Sequence, residues 1–169
     1  FNLNHEKIDF VHDEVSLAIR NSMIQAPKQA VIRHLAHEWI GPVCTPALAG
    51  QLELVSPTDL PRARWLQTKT RPQAWQEWMQ ASNLDMECSI ADESFEHFYL
   101  LIQAAISGLG MAMVPRMLVD EDLATGRLVA PFGFLQGPHD IQLWIAPYVR
   151  SKVETEKLAD WLTERMKGC

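Results

Sequence analysis

Apolar and polar residues repeat with two different periods along this 169-residue chain. Helical spacing near 3.6 predicts amphipathic helices, and short apolar runs between turn residues predict buried strands. Residues 15–19 (VSLAI) form such a run, ended by Arg20-Asn21-Ser22, and read as a short buried strand. Residues 25–29 contain Pro27 and read as a loop. Residues 30–43 fit a helix or a strand, with His34, His37 and Glu38 along them, and Gly41-Pro42 ends whichever forms. Pro42 and Pro46 then bracket Val43-Cys44-Thr45 as an extended connector.

Residues 57–61 read as a turn and 64–68 (RWLQT) as a strand. Pro72 suits the first position of a helix with Thr70 as its cap. In that helix Trp75, Trp78 and Met79 fall on one face, and Asn83 closes it. Residues 86–90 are a further strand candidate. Asp92 or Ser94 caps a long helix carrying Phe95, Phe98, Ile102, Ala105 and Ile106, and Gly108 is the left-handed residue past its end. Residues 111–114, 128–132 and 142–147 read as strands, the last after a Gly137-Pro138 turn. Residues 153–166 form a closing helix with Leu158, Trp161 and Leu162 facing inward. Alternating strands and helices imply an α/β architecture with a largely parallel sheet.

Composition adds a folded core: 47% of residues are hydrophobic, with six Trp and six Phe. The net charge of −6 and the lack of a dense Lys/Arg stripe argue that this stretch does not itself hold DNA. No apolar run approaches the ~20 residues that span a bilayer, and the polar opening FNLNHEKIDF is not a signal peptide. The start at Phe1 reads as a fragment or a processed chain. Cys44, Cys88 and Cys169 are odd in number and widely spaced, which suits reduced thiols in a cytoplasm.

The chemistry-bearing candidates are weak. His34 and His37 lack a third ligand at a familiar spacing, so they read as surface histidines and no metal is expected. Gly108-Leu109-Gly110 precedes its strand, the reverse of a nucleotide-binding loop, so no cofactor is expected. Cys44 shows no partner histidine and reads as a small buried apolar residue. Ser22, Ser56 and Ser107 lack a nucleophile elbow. The expectation is a protein that is not an enzyme.

Several pieces, in order, resemble the effector-binding domain of LysR-type transcriptional regulators. Asp9-Phe10 with residues 15–20 (VSLAIR) is similar to the family's "DF…DLAIR" element, with Ser16 where Asp is usual and no glycine after Arg20. Residues 42–48 (PVCTPAL) resemble its connector. Trp75-Gln76-Glu77-Trp78 resembles the paired-Trp helix of the branch that includes the glycine-cleavage activator and β-lactamase activator. Ala104-Ala105, Gly108, Gly110, Pro115, residues 126–129 (GRLV) and Pro131-Phe132 match the family's long central segment. The family's opening strand and its Ser/Thr-rich loop are missing before Asp9-Phe10.

The resemblance implies two Rossmann-like α/β lobes joined by two crossover strands, as in a type 2 periplasmic binding protein. Residues 1–43 and 147–169 would form lobe I and 44–146 lobe II. It also implies a small, anionic effector bound between lobes, where helix N-termini and strand ends favour negative charge. The expected ligand-binding residues are Arg20, Asn21, Thr45, Thr68, Lys69, Thr70, Glu93, Ser94, Phe95 and Tyr148. Implied partners are the effector and the chain itself, as a homodimer and a tetramer when full-length, with DNA reached only through a winged helix-turn-helix outside this chain and no membrane contact. The alternative is the solute-binding component of a transporter.

Overall fold

The structure, a computed structural model, describes residues 8–86 and 91–166. In chain order its elements are β1 (Leu17–Asn21), β2 (Val31–Val43), α1 (Pro46–Gln51), β3 (Trp65–Thr68), α2 (Ala74–Ala81), β4 (Glu93–Phe95), α3 (Phe98–Ile106), β5 (Met111–Pro115), α4 (Asp120–Ala124), β6 (Leu135–Ile145) and α5 (Val153–Met166). Tight 3-10 turns span Pro57–Arg62 and Arg116–Leu118. The chain divides into two compact units, Phe1–Glu38 with Pro138–Cys169, and Trp39–Gly137. Both boundaries fall inside strands, so β2 and β6 each belong in part to both units, whereas the sequence reading changed lobes after residues 43 and 146.

In the first unit the strand order is β1-β6-β2. β1 runs antiparallel to β6, from Leu17 opposite Ile145 to Asn21 opposite Ile141. Ile8, Phe10, Leu35, Leu143, Trp144 and Ile145 make its core, closed by Ala159 and Met166 of α5. Apolar side chains at these positions leave water together, which is the main stabilising term.

In the second unit the order is β2-β5-β3-β4. β5 is buried along its whole length, and its alternation feeds two cores. Met111 and Met113 pack with Ile40, Trp65, Trp75, Trp78 and Met79. Ala112 and Val114 pack with Val43, Leu66, Leu101 and Ala105. The Trp65 and Trp75 rings stack at 4.7 Å, and their indole N–H groups donate to the carbonyls of Leu60 and Leu66. Such pairing is what lets Trp be buried without an orphaned donor.

Several local expectations change. The sheet is mixed, because β1–β6 and β2–β5 are antiparallel while β3 runs parallel to β4 and β5. Residues 31–43 form a strand that continues through Gly41-Pro42, with Pro42 opposite Met113 one residue from its end. There the missing N–H costs little. β6 likewise runs through Gly137-Pro138, which is not a turn. β1 starts two residues later than the apolar run and is half-buried. Residues 128–132 contribute only an isolated bridge at Val129. The strand candidate at 86–90 lies largely outside the described residues, and Met86 belongs to no element.

α2 buries Trp75, Trp78 and Met79, and Asn83 closes it with a positive φ of 53°. Its cap position is Gln73 rather than Thr70. α3 begins at Phe98, with His97 as its cap, because residues 93–95 are taken by a strand pairing with β3. Asp92 accepts the Trp65 backbone N–H at 2.7 Å instead of capping a helix. α5 spans 153–166 as expected, but Thr155, Ala159 and Met166 are its buried positions. Leu162 packs half-buried against the core of the first unit as expected, whereas Leu158 and Trp161 are 41% and 56% exposed, so Ala159 takes the inward place the sequence reading gave to Leu158.

Candidate functional site

The second unit brings six of the expected residues together at the end of β3. Thr68 and Phe95 are partners in the parallel register of β3 and β4, as are Gln67 and Ser94, and Leu66 and Glu93. The strand-to-helix turn beyond β3 carries Lys69 and Thr70, whose path is held by the Lys69 N–H bond to the Phe95 carbonyl at 2.8 Å. Thr68 is fully buried, and its hydroxyl lies 2.9 Å from the Thr70 hydroxyl and accepts the Thr70 backbone N–H at 3.2 Å. This makes an inner hydroxyl that orients an outer, half-buried one.

Around this pair, Ser94 Oγ accepts from the Gln67 side chain at 3.1 Å, and Arg64 pairs with Glu93 at 2.8 Å. Lys69 pairs with Glu96, and that hydrogen bond holds the Glu96 carboxyl below the usual carboxylate range. Phe95 packs half-buried against the core around Leu66 and Leu101. Arg71 and Glu77 form a nearly buried ion pair that joins the turn to α2, with Arg71 only 3% exposed. This pair had no sequence signal, since an Arg before a Pro reads as loop surface. Glu93, Ser94 and Phe95 sit on a strand rather than at a helix start, so they offer side chains and strand edges, not the dipole of α3.

Thr45 lies elsewhere in this unit. Its hydroxyl accepts the Leu48 N–H at 3.2 Å and so caps α1, a helix announced only by Thr45-Pro46. An open concavity of about 730 Å³ beside α1 is lined by Ala49, Gly50, Glu53, Leu54, Val55, Asp59 and Arg62. None of those residues was a sequence candidate.

In the first unit, Arg20 and Asn21 end β1, with Arg20 opposite Gln142. Partial burial lowers the Arg20 guanidinium's pKa. Asn21 donates to Glu38 at 2.8 Å and accepts the Met23 N–H at 2.9 Å. The Tyr148 hydroxyl faces two carbonyls, Val15 at 2.9 Å and Phe10 at 3.3 Å, which ties the start of this unit to the segment after β6. His34 and His37 also gain a neighbour the sequence did not reveal, Asp140 on β6.

Two α/β units that share two strands define the class, a domain with the periplasmic-binding-protein-like type 2 fold. The chain belongs to the LysR substrate binding domain family, whose pattern matches residues 3–167. It is 39% identical over 147 residues to the HTH-type transcriptional regulator TrpI of Pseudomonas aeruginosa, covering 84% of this chain and 48% of that protein. It is 31% identical over 125 residues to the glycine cleavage system transcriptional activator of Escherichia coli K12, covering 73% and 40%. The effector domain of the regulator AmpR of Pseudomonas aeruginosa superposes with a TM-score of 0.78 at 22% identity, over 95% of this chain and 76% of that one. The chain spans about half the length of the curated relatives it matches. No helix among the described residues is long and apolar enough to cross a membrane.

Proposed function

We propose that this chain is the effector-sensing part of a bacterial transcription factor, and that a small carboxylate-bearing metabolite binds at the end of β3. The observation that carries the reading is the juxtaposition of the Thr68–Thr70 hydroxyl pair with Ser94 and Lys69, within a domain of this family. The buried Thr68 hydroxyl holds Thr70 in place, so the outer hydroxyl meets a ligand with little ordering cost. The relatives named above are all transcriptional regulators, which supports this reading over a solute-binding component of a transporter. In the whole protein, DNA would be read by a domain outside this chain, in the cytoplasm, by dimers whose assembly the effector alters. Such an effector acts only through its differential affinity for two arrangements of the protein.

A thermal-shift panel of amino acids, organic acids and cell-wall peptides tests the site. A true effector raises the melting temperature by mass action, increasingly with its concentration relative to its Kd. The shift disappears in Thr70→Ala and Ser94→Ala if the assignment is right. A shift unchanged in both variants moves the site elsewhere, and no shift with any compound overturns the ligand class.

A further inference from the structure

A perfectly alternating strand would place His34 and His37, three residues apart, on opposite faces. β2 does not alternate perfectly. Leu35 and Glu38 are both buried although they lie three positions apart, an odd spacing, so the alternation slips once between them. The slip turns both imidazoles to the exposed side, with ring centroids 4.9 Å apart. Opposite them on β6, Asp140 Oδ1 lies 2.7 Å from His37 Nδ1 and 3.4 Å from His34 Nε2. One ligand atom from each residue falls within 4.8 Å of the other two.

The carboxylate is held in place by backbone. The Asp140 N–H donates to Ser22 Oγ at 2.9 Å, and the Ser22 N–H donates to the Asp140 carbonyl at 2.8 Å. The neighbouring cation Arg33 is engaged by Glu156 and Asp160 of α5, so its charge is balanced away from the imidazoles.

We propose that His34, His37 and Asp140 bind one divalent transition-metal ion of the zinc class. Two imidazole nitrogens and one carboxylate oxygen are the donors that suit zinc, with a fourth position left to water. Around a tetrahedral ion with bonds of about 2.0–2.2 Å, neighbouring donor atoms lie about 3.4 Å apart. The His34–Asp140 separation already has this value, and the His37–Asp140 contact must open by about 0.7 Å, a small rotation for an exposed ring. The ion would rivet β2 to β6 and, through Ser22, to the end of β1. Sequence spacing could not reveal the site because its third ligand comes from the far end of the chain. The proposal is independent of the effector site at β3.

Isothermal titration of the chain, carrying no histidine tag, with zinc chloride tests it. The expected result is one ion per chain, with affinity falling at least about tenfold in His34→Ala, His37→Ala and Asp140→Asn, and unchanged in His97→Ala. Asp140→Asn keeps both backbone bonds to Ser22, so its loss of binding reports the carboxylate and not the fold. Cobalt(II) in place of zinc gives a second readout, a visible absorption band that disappears in the same three variants. Absence of stoichiometric binding at millimolar zinc, or binding that survives in the His34→Ala/His37→Ala double variant, overturns the site.

Discussion

Cys44 and Val129 exchange both of their backbone hydrogen bonds, at 3.0 and 2.8 Å, as an isolated antiparallel bridge. The connector after β2 is thereby fastened to the segment after α4, two stretches far apart in sequence. The side chain of Cys44 is fully buried at this junction, and that burial pushes its thiol up to about 11.

Cys44 should therefore resist alkylation. Only the thiolate is nucleophilic, and at about pH 8 the folded chain holds this thiol protonated. Iodoacetamide treatment followed by peptide mass spectrometry should leave Cys44 unmodified in the native chain and modify it fully in denaturant. Rapid native labelling would contradict its buried placement.

Gly108 and Gly110 should respond differently to alanine although they are two residues apart. Gly108 has φ +75° with open space around it, so Gly108→Ala should cost about 1 kcal/mol of backbone strain. At Gly110 an added Cβ would meet the Arg64 carbonyl oxygen at 2.5 Å, which is backbone and cannot swing away. Gly110→Ala should cost about 1–3 kcal/mol or more, the range for overpacking. Urea denaturation of the two variants measures the difference.

The Arg71–Glu77 pair should be costly to break from one side only. Arg71→Ala leaves Glu77 as a poorly compensated charge and should destabilise by about 3–5 kcal/mol. The Arg71→Met/Glu77→Met double variant should be markedly more stable than Arg71→Ala, since it removes both charges. Equal stability of the two variants would mean that the pair is solvated.

Two tryptophans give the sharpest contrast in burial. Trp78→Ala removes a side chain with no exposed surface from the core of the second unit and should cost about 3–5 kcal/mol. Trp161 is over half exposed, with the Arg165 guanidinium over its ring at 6.0 Å, so Trp161→Ala should cost under about 1 kcal/mol. Thermal or urea unfolding distinguishes them directly. A comparable loss in both would show that α5 packs on a different face.

What the sequence by itself determined rests on local physics. The 3.6-residue spacing of Trp75, Trp78 and Met79, the apolar run at Met111–Val114 and the stop at Gly108 depend on near neighbours, and each forms as read. The ordered pieces from Asp9-Phe10 to Pro131-Phe132 likewise sufficed for the family, because that likeness is carried by residue identity. Tertiary structure decided whatever depends on pairing between distant segments. Residues 93–95 read as a helix start until β3 offers them a parallel partner, and Gly41-Pro42 and Gly137-Pro138 read as breaks until flanking strands carry them through. The inward face of α5 was settled by packing into the core that also holds Leu35 and Trp144, not by its own weak pattern. The same rule governs the sites. The Thr68–Thr70 turn was visible as a local motif, whereas Ser94 beside it follows from the β3–β4 register. Asp140 beside His34 and His37 follows from the irregularity in β2 and the backbone bonds to Ser22, which no spacing in one dimension encodes.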